Sequence, residues 1–349
     1  MDRTKLACIL LAGGMLLGCG DDTTDPPDPT GTTFPPRDEN CAAPDPSMVC
    51  TTDTPARSEA DRTVEVPMTF EDRTIAFVLS TASLPEATSD PDGDGPGRGQ
   101  AVGFNVDGID SGNGSSAADA NCEEFNTDYQ ALTDPQHFGV DNALQGLVGT
   151  IEGLLDAMDC PGGTTDGCLD ATLQQQIAEG SLILLIEVAG INDFDYDTSV
   201  SVQMHLGAVP GGGMPMVGSG GGLEGGQAFD SMMMLGPAVD GDIFNGRLRV
   251  QTDTLPLSIM AGGFDLDLMI TQAQVRFDIS ETGLTNGAIG GVVTVDALVM
   301  AASAIMPGIE DTVRSVVESV ADVDPSSDPA ICGALSLGLA FTGVDATIN

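Results

Sequence analysis

The chain has 349 residues, with 53 Asp and Glu against 11 Lys and Arg, and a formal net charge of −42 at pH 7. This charge predicts no nucleic-acid partner, because it repels phosphate backbones and basic stripes are missing. Hydrophobic residues make up 41% of the chain, which is enough to bury a core and excludes a wholly disordered protein. Lys5 is the only lysine. Residues beyond the N-terminus therefore cannot supply a Schiff-base or P-loop lysine.

The N-terminus contains Arg3 and Lys5, then an apolar run over residues 6–17 that is too short to span a membrane. The run ends on Leu-Leu-Gly-Cys at positions 16–19, which resembles the lipobox of bacterial membrane lipoproteins. The resemblance implies that residues 1–18 are a cleaved signal peptide. It also implies that Cys19 carries diacylglycerol and a further acyl chain such as palmitate. An ordinary secretory signal with an incidental cysteine is the alternative.

Several acyl chains anchor a protein firmly, so the lipoprotein resemblance implies a membrane partner through the N-terminus. In this family, Asp directly after the lipidated cysteine retains the protein in the inner membrane. Here that residue is Gly20. We therefore expect a cell-envelope location, with the outer membrane favoured over the inner membrane.

The remaining chain divides by composition into an Asp/Thr/Pro-rich tether over residues 19–61 and a β-rich globular domain over residues 62–349, with an acidic loop at 90–135. Period-two alternation predicts most of the strands, while apolar residues at helical spacing predict three helices. We expect a mainly β or α+β fold, namely an antiparallel β-sandwich-like domain with a few packed helices. The predicted helices begin near Asp141 or Asn142, near Leu169 and near Ile309.

One predicted strand carries a break in its alternation. Over residues 264–280 the apolar positions are even up to Ile270 and odd from Ala273 onward. A continuous strand cannot exchange its two faces in this way, so the pattern predicts a bulge near Thr271 and Gln272.

The cysteine count predicts disulfides. Six cysteines remain once Cys8 in the signal and the lipidated Cys19 are set aside, and an even number in an exported chain indicates three bridges. Loop closure favours near neighbours in the sequence. The predicted pairs are Cys41 with Cys50, Cys160 with Cys168 and, by elimination, Cys122 with Cys332.

The acidic loop contains a candidate calcium site. Asp90, Asp92 and Asp94 alternate and are followed by glycine, as in the front half of a calcium-binding loop, but position twelve is Ala101 instead of Glu. The ligand set could be closed by Asn105, Asp107 and Asp110. A solvated acidic loop on an already acidic protein is an equally simple interpretation, and the sequence leaves both open.

Enzyme motifs are missing from the sequence. It has no G-x-S-x-G and no H-E-x-x-H, and His137 and His205 are both predicted at the surface. A second group of residues offers soft metal donors that could hold Cu(I), although methionine is more often a core or loop filler. This group comprises Met204, His205, Met214 and Met216, with Met232, Met233 and Met234 further along the chain.

The mature sequence is similar to uncharacterised exported lipoproteins of high-GC bacteria, through an acidic Asp/Gly loop (GFNVDGIDSGNG) and a GVDNAL-type helix start. That resemblance implies no activity. We expect a lipid-anchored, non-enzymatic interaction or structural module, with calcium as a candidate stabilising ion. The sequence does not identify its partner, which could be a protein or a glycan. The alternatives are an envelope hydrolase using acidic residues that the sequence does not single out, and a periplasmic copper-binding protein.

Overall fold

The computed structural model describes residues 72–85, 99–107, 128–132, 134–154, 160–161, 163–164, 167–261, 264–305, 308, 310–325 and 332–349. All of them belong to one compact unit. The signal peptide with Cys19, the tether, and residues 62–71 of the predicted globular domain lie outside the described residues.

The described chain is dominated by strands. The strands are β1 (Arg73–Ser83), β2 (Gln100–Ala101), β3 (Tyr129–Ala131), β4 (Asp134–Val140), β5 (Leu184–Ile191), β6 (Tyr196–Ala208), β7 (Gln227–Met234), β8 (Val239–Phe244), β9 (Arg247–Ala261), β10 (Phe264–Ser280), β11 (Gly283–Thr294), β12 (Val323–Pro325) and β13 (Cys332–Ile348). The helices are α1 (Leu144–Leu154), α2 (Cys168–Glu179), α3 (Val295–Ile305) and α4 (Glu310–Glu318).

Eight strands form a closed antiparallel barrel. Its order is β1, β5, β6, β8, β9, β10, β11 and β13, and β13 pairs with β1 to close the ring. β7 adds to β6 and runs parallel to the end of β13, while β12 adds to the start of β13. β2, β3 and β4 form a separate small sheet.

The expected β-rich, mainly antiparallel fold is confirmed, but the β-sandwich is wrong because one sheet closes on itself. A sandwich and a barrel share the same alternation of buried and exposed residues along each strand, so the alternation cannot separate them. The long strands, of up to 17 residues in β10 and β13, carry bulges that increase their twist.

Apolar side chains fill the barrel interior. Phe77 on β1, Ile186 on β5 and Leu248 on β9 are fully buried, and Phe277 packs edge to face on Phe341 with ring centroids 6.0 Å apart. A closed eight-stranded barrel is just wide enough to be filled by side chains in this way. The interior is therefore a hydrophobic core that holds the fold together.

The predicted bulge in β10 is confirmed. Gln272 has φ of 50°, and the pairing between β10 and β11 shifts register between Thr271 and Gln274. Across the ladder, Gly291 has φ of 149°, and a Cβ built there would lie 2.6 Å from the carbonyl oxygen of Thr271. The glycine thus lets the bulged backbone approach β11.

The helices pack against the barrel strands, with α2 contacting both β1 and β9 and α3 contacting β10, β11 and β13. α1 begins where the Oδ1 of Asn142 accepts a hydrogen bond from the Gln145 N–H at 3.3 Å, and α2 ends at Gly180 with φ of 79°. α1, α3 and α4 share an apolar cluster with Leu335 of β13. The sequence did not predict α3, β7 or β8. None of the helices in the described residues has the length and hydropathy to cross a membrane.

Candidate functional site

A trough of small residues runs along the outer face of β11 and β13. Gly290 pairs with Gly338, and Ala288 pairs with Ala340. A Cβ on Gly338 would overlap the carbonyl oxygen of Val102, and one on Gly290 would lie 2.6 Å from the Phe104 ring. Residues 101–107, here called the crossing segment, therefore lie directly against the barrel because these two positions lack side chains.

Phe104 fixes the middle of the crossing segment over a buried cation. The Arg276 guanidinium, on the outer face of β10, lies 4.9 Å from the centre of the Phe104 ring. Both residues are only 1% exposed. A desolvated stack of this kind contributes roughly 2 kcal/mol.

Asp141 holds the end of the crossing segment. Its Oδ2 accepts hydrogen bonds from the backbone N–H of Val106 at 2.7 Å and of Asp107 at 3.4 Å, and its own N–H donates to the carbonyl of Phe104 at 3.0 Å. Burial raises the pKa of Asp141 well above its ordinary value, and the negative charges of Asp128, Asp107 and Asp322 raise it further. The Val106 N–H opposes this shift.

Asn142 joins the crossing segment to the barrel. Its Nδ2 donates to the carbonyl of Val102 at 2.7 Å and to that of Gly338 at 3.5 Å. The same side chain caps α1 through its Oδ1. One buried amide therefore fixes the position of the segment, the helix and β13 together.

Asp322 meets Ser336 of β13 on the same outer face. The Ser336 N–H donates to Oδ1 of Asp322 at 2.8 Å, and the Ser336 hydroxyl donates to Oδ2 while accepting from the Ala143 N–H at 2.9 Å. Burial raises the pKa of Asp322 from 3.8 to about 7, and the charge of Asp128 adds to the rise. The Ser336 hydrogen bonds act in the opposite direction.

These side chains form a carboxylate cluster, defined here as Asp107, Asp128, Asp141 and Asp322. Asp128, Asp141 and Asp322 are at most 5% exposed, while Asp107 is partly exposed. Burial and the charges of Asp322 and Asp128 also raise the pKa of the adjacent Tyr129 phenol. Buried carboxyl groups that feel one another's charge are stabilised by protonation or by a cation.

The structure brings together two of the six predicted calcium ligands. Asn105 and Asp107 lie in the crossing segment next to Asp141. Asp90, Asp92, Asp94 and Asp110 lie outside the described residues. Among the residues described, no group of three or more His, Cys, Asp or Glu side chains is arranged to hold a metal ion.

Sequence reasoning missed Asp128 and Asp322 and assigned Asp141 only a capping role. Asp128 is one of many acidic residues in the acidic loop, and no pattern distinguishes it from the others. Asp322 lies far along the chain, and no local pattern connects it with the loop. The contact of Asp322 with Ser336 depends on the pairing of β12 with β13.

The Cys160–Cys168 disulfide is formed, with a Cα–Cα distance of 5.3 Å. Cys332 is also disulfide-bonded. Cys41, Cys50 and Cys122 lie outside the described residues, so the other two predicted pairs stay predictions.

The predicted surface position of His205 is wrong, since this residue is only 8% exposed. It lies on the outer face of β6 beside the buried Leu185 of β5. The other histidine, His137, is in β4, and its side chain is outside the described part. Met204 packs in the core, whereas the predicted soft donors elsewhere are exposed: Met214, Met216, Met232, Met233 and Met234.

No family model, no curated protein and no solved structure was found to match the chain.

Proposed function

We propose that the chain is a lipid-anchored envelope module that acts by binding, and that calcium binds at its carboxylate cluster and stabilises the crossing segment. The observation that carries the calcium proposal is that Asp141, which holds the crossing segment, is buried where the charges of Asp107, Asp128 and Asp322 act on it. The lipid anchor is carried by the Leu-Leu-Gly-Cys motif at positions 16–19.

Calcium suits this cluster because hard cations prefer carboxylate and amide oxygens. Asn105 and Asp107 supply such oxygens at alternate positions of the crossing segment, and Asp141 already holds the backbone of that segment. Burial is the main cause of the raised pKa of Asp141 and repulsion by neighbouring carboxylates adds to it, and a bound cation would offset both.

Burial favours binding over the hydrolase alternative. Raised carboxyl pKa values are typical of general acids, and Asp141 and Asp322 both have them. These carboxyl groups are buried between β13 and the elements packed on it, and each accepts hydrogen bonds from the backbone. A substrate would have to displace the crossing segment to reach them. Stabilisation of the segment is therefore the simpler role.

Isothermal titration calorimetry with CaCl₂ tests the calcium proposal. We expect one site with a Kd of about 10⁻⁴ to 10⁻³ M, as in extracellular calcium modules. Asp107→Asn should weaken binding, because it removes a ligand charge from a partly exposed position. Asp253→Asn is the matched control, since Asp253 is an exposed carboxylate on β9. Equal heats for both variants and the unmodified protein would contradict the proposal.

Mass spectrometry of the native, membrane-extracted protein tests the anchor separately. We expect an N-terminal peptide that begins at Cys19 and carries diacylglycerol and an amide-linked acyl chain. An intact Met1, or a terminus without fatty acid, would overturn the envelope assignment and leave the calcium proposal standing.

A further inference from the structure

We propose that His205 and Met234 form a binding site for Cu(I) on the outer face of β6 and β7. The two residues are direct partners across the antiparallel ladder. Opposed side chains in such a ladder have Cβ atoms about 4.5–5.5 Å apart and lie on the same face of the sheet. An imidazole nitrogen and a thioether sulfur can therefore reach one ion between them.

The imidazole is held in the orientation that a metal ligand needs. Its Nδ1 lies 2.9 Å from the Ser231 hydroxyl oxygen. When Nδ1 carries the proton and donates to this oxygen, Nε2 has the free lone pair. Metal-binding histidines characteristically use their second ring nitrogen for an orienting hydrogen bond of this kind.

The Nε2 atom of His205 lacks a hydrogen-bond partner. It is buried and has no hydrogen-bond partner within the described residues. Leaving a buried polar atom without a partner costs about 1–3 kcal/mol, so such atoms are rare and often functional. Leu185, the other ladder neighbour of His205, is apolar and fully buried.

A β-bulge in β7 assembles the site. His205 opposes Met234 and Gly207 opposes Ser231, so three positions of β6 face four positions of β7, and the register shifts between Leu206 and Gly207. Residues three apart in a regular strand point to opposite faces, but the extra residue lets Ser231 and Met234 both approach His205. Bulges of this kind often re-aim side chains at functional sites.

The donor types select the metal. Thioether sulfur is a soft ligand that favours Cu(I) over calcium or magnesium, and imidazole is compatible with copper. Met234 is 64% exposed, so its sulfur is open to an ion from solvent. Met232 and Met233, directly before it, are exposed as well and offer further sulfur ligands.

Competition for Cu(I) against bicinchoninate tests the site, using the full chain under anaerobic conditions after alkylation of free thiols. We expect the unmodified protein to withdraw one equivalent of Cu(I). Ser231→Ala should reduce the affinity about 10- to 100-fold by releasing the imidazole orientation. Met234→Leu should reduce it further, and Met300→Leu, an equally exposed methionine on α3, should leave it unchanged.

The ¹⁵N resonances of His205 provide a second measurement on the same samples. Addition of Cu(I) should shift Nε2 much more than Nδ1 in the unmodified protein and in Met300→Leu. Failure to withdraw Cu(I), equal affinity of Met234→Leu and Met300→Leu, or an unshifted His205 Nε2 would each overturn the proposal. A calcium-binding result would have no bearing on it, because the two sites share no residues.

Discussion

The same strands bury two different kinds of side chain: apolar ones in the barrel interior, and carboxylates on the outer face of β11 and β13. Inside, Phe77, Phe277 and Phe341 stabilise the fold because folding removes their apolar surface from water. Outside, buried carboxylates must be made stable by hydrogen bonds, protons or a cation. The comparison indicates that the interior maintains the fold, whereas the outer face is where we expect stability to depend on pH and, under the calcium proposal, on ions.

We expect the largest loss of stability from a cavity in the barrel interior. Phe277→Ala removes a fully buried ring that packs edge to face on Phe341, and we expect a loss of about 3–5 kcal/mol in the free energy of unfolding in urea. Met300→Ala should change it little, because Met300 is exposed on α3. A loss below about 1 kcal/mol for Phe277→Ala would mean that the interior is not a close-packed core.

The second prediction concerns the pH response of the outer face. The folded-state pKa of Asp322 is about 7, against 3.8 as its ordinary value. Folding therefore favours the protonated form, and this contribution is fully present below pH 4 and is lost as pH rises to about 7. The shift corresponds to about 4 kcal/mol at most.

Urea unfolding at pH 5 and pH 7.5 in EDTA measures this contribution. Asp322→Asn, which keeps an oxygen for the Ser336 N–H, should lose less stability between the two pH values than the unmodified protein does. Asp253→Asn, which alters an exposed carboxylate, should retain the original pH dependence. Identical pH dependence in all three proteins would argue against a protonated Asp322.

A smaller effect is expected from filling the trough. Gly338→Ala places a methyl group where the carbonyl oxygen of Val102 lies, and we expect a loss of about 1–3 kcal/mol through displacement of the crossing segment. Gly149→Ala in α1 has open space around it and should stabilise the protein by about 0.5–1 kcal/mol. Thermal unfolding compares the two variants. Equal shifts of the midpoint temperature would contradict the claim that the trough must lack side chains to seat the crossing segment.

Local patterns predicted the parts of the fold that depend on local chemistry. The change of parity in residues 264–280 predicted the bulge at Gln272, and the 3.6-residue spacing after Asn142 predicted α1. Closure of the barrel was not predictable, because it depends on the pairing of β1 with β13 at the far end of the chain. α3 was missed because it begins directly after β11, with no turn residue to separate the helix from the strand.

The candidate site was predicted only in part for the same reason. Asn105 and Asp107 were identified from their alternate spacing, which is a local signal. Asp322 joins them through Ser336 of β13, and that contact is a product of the tertiary fold. The burial of His205 was also missed, since the alternation of β6 alone placed it on the solvent side.

The free energy of unfolding at pH 7.5 in 10 mM CaCl₂, compared with that in EDTA, tests the central claim most directly. With a Kd of about 10⁻⁴ to 10⁻³ M, calcium should stabilise the unmodified protein by about 1.4–2.7 kcal/mol. Asp141→Asn should be more stable than the unmodified protein in EDTA, because it removes a carboxyl group whose ionised form is disfavoured by burial, and should gain little from calcium. An unmodified protein with the same unfolding free energy in both buffers would contradict the account.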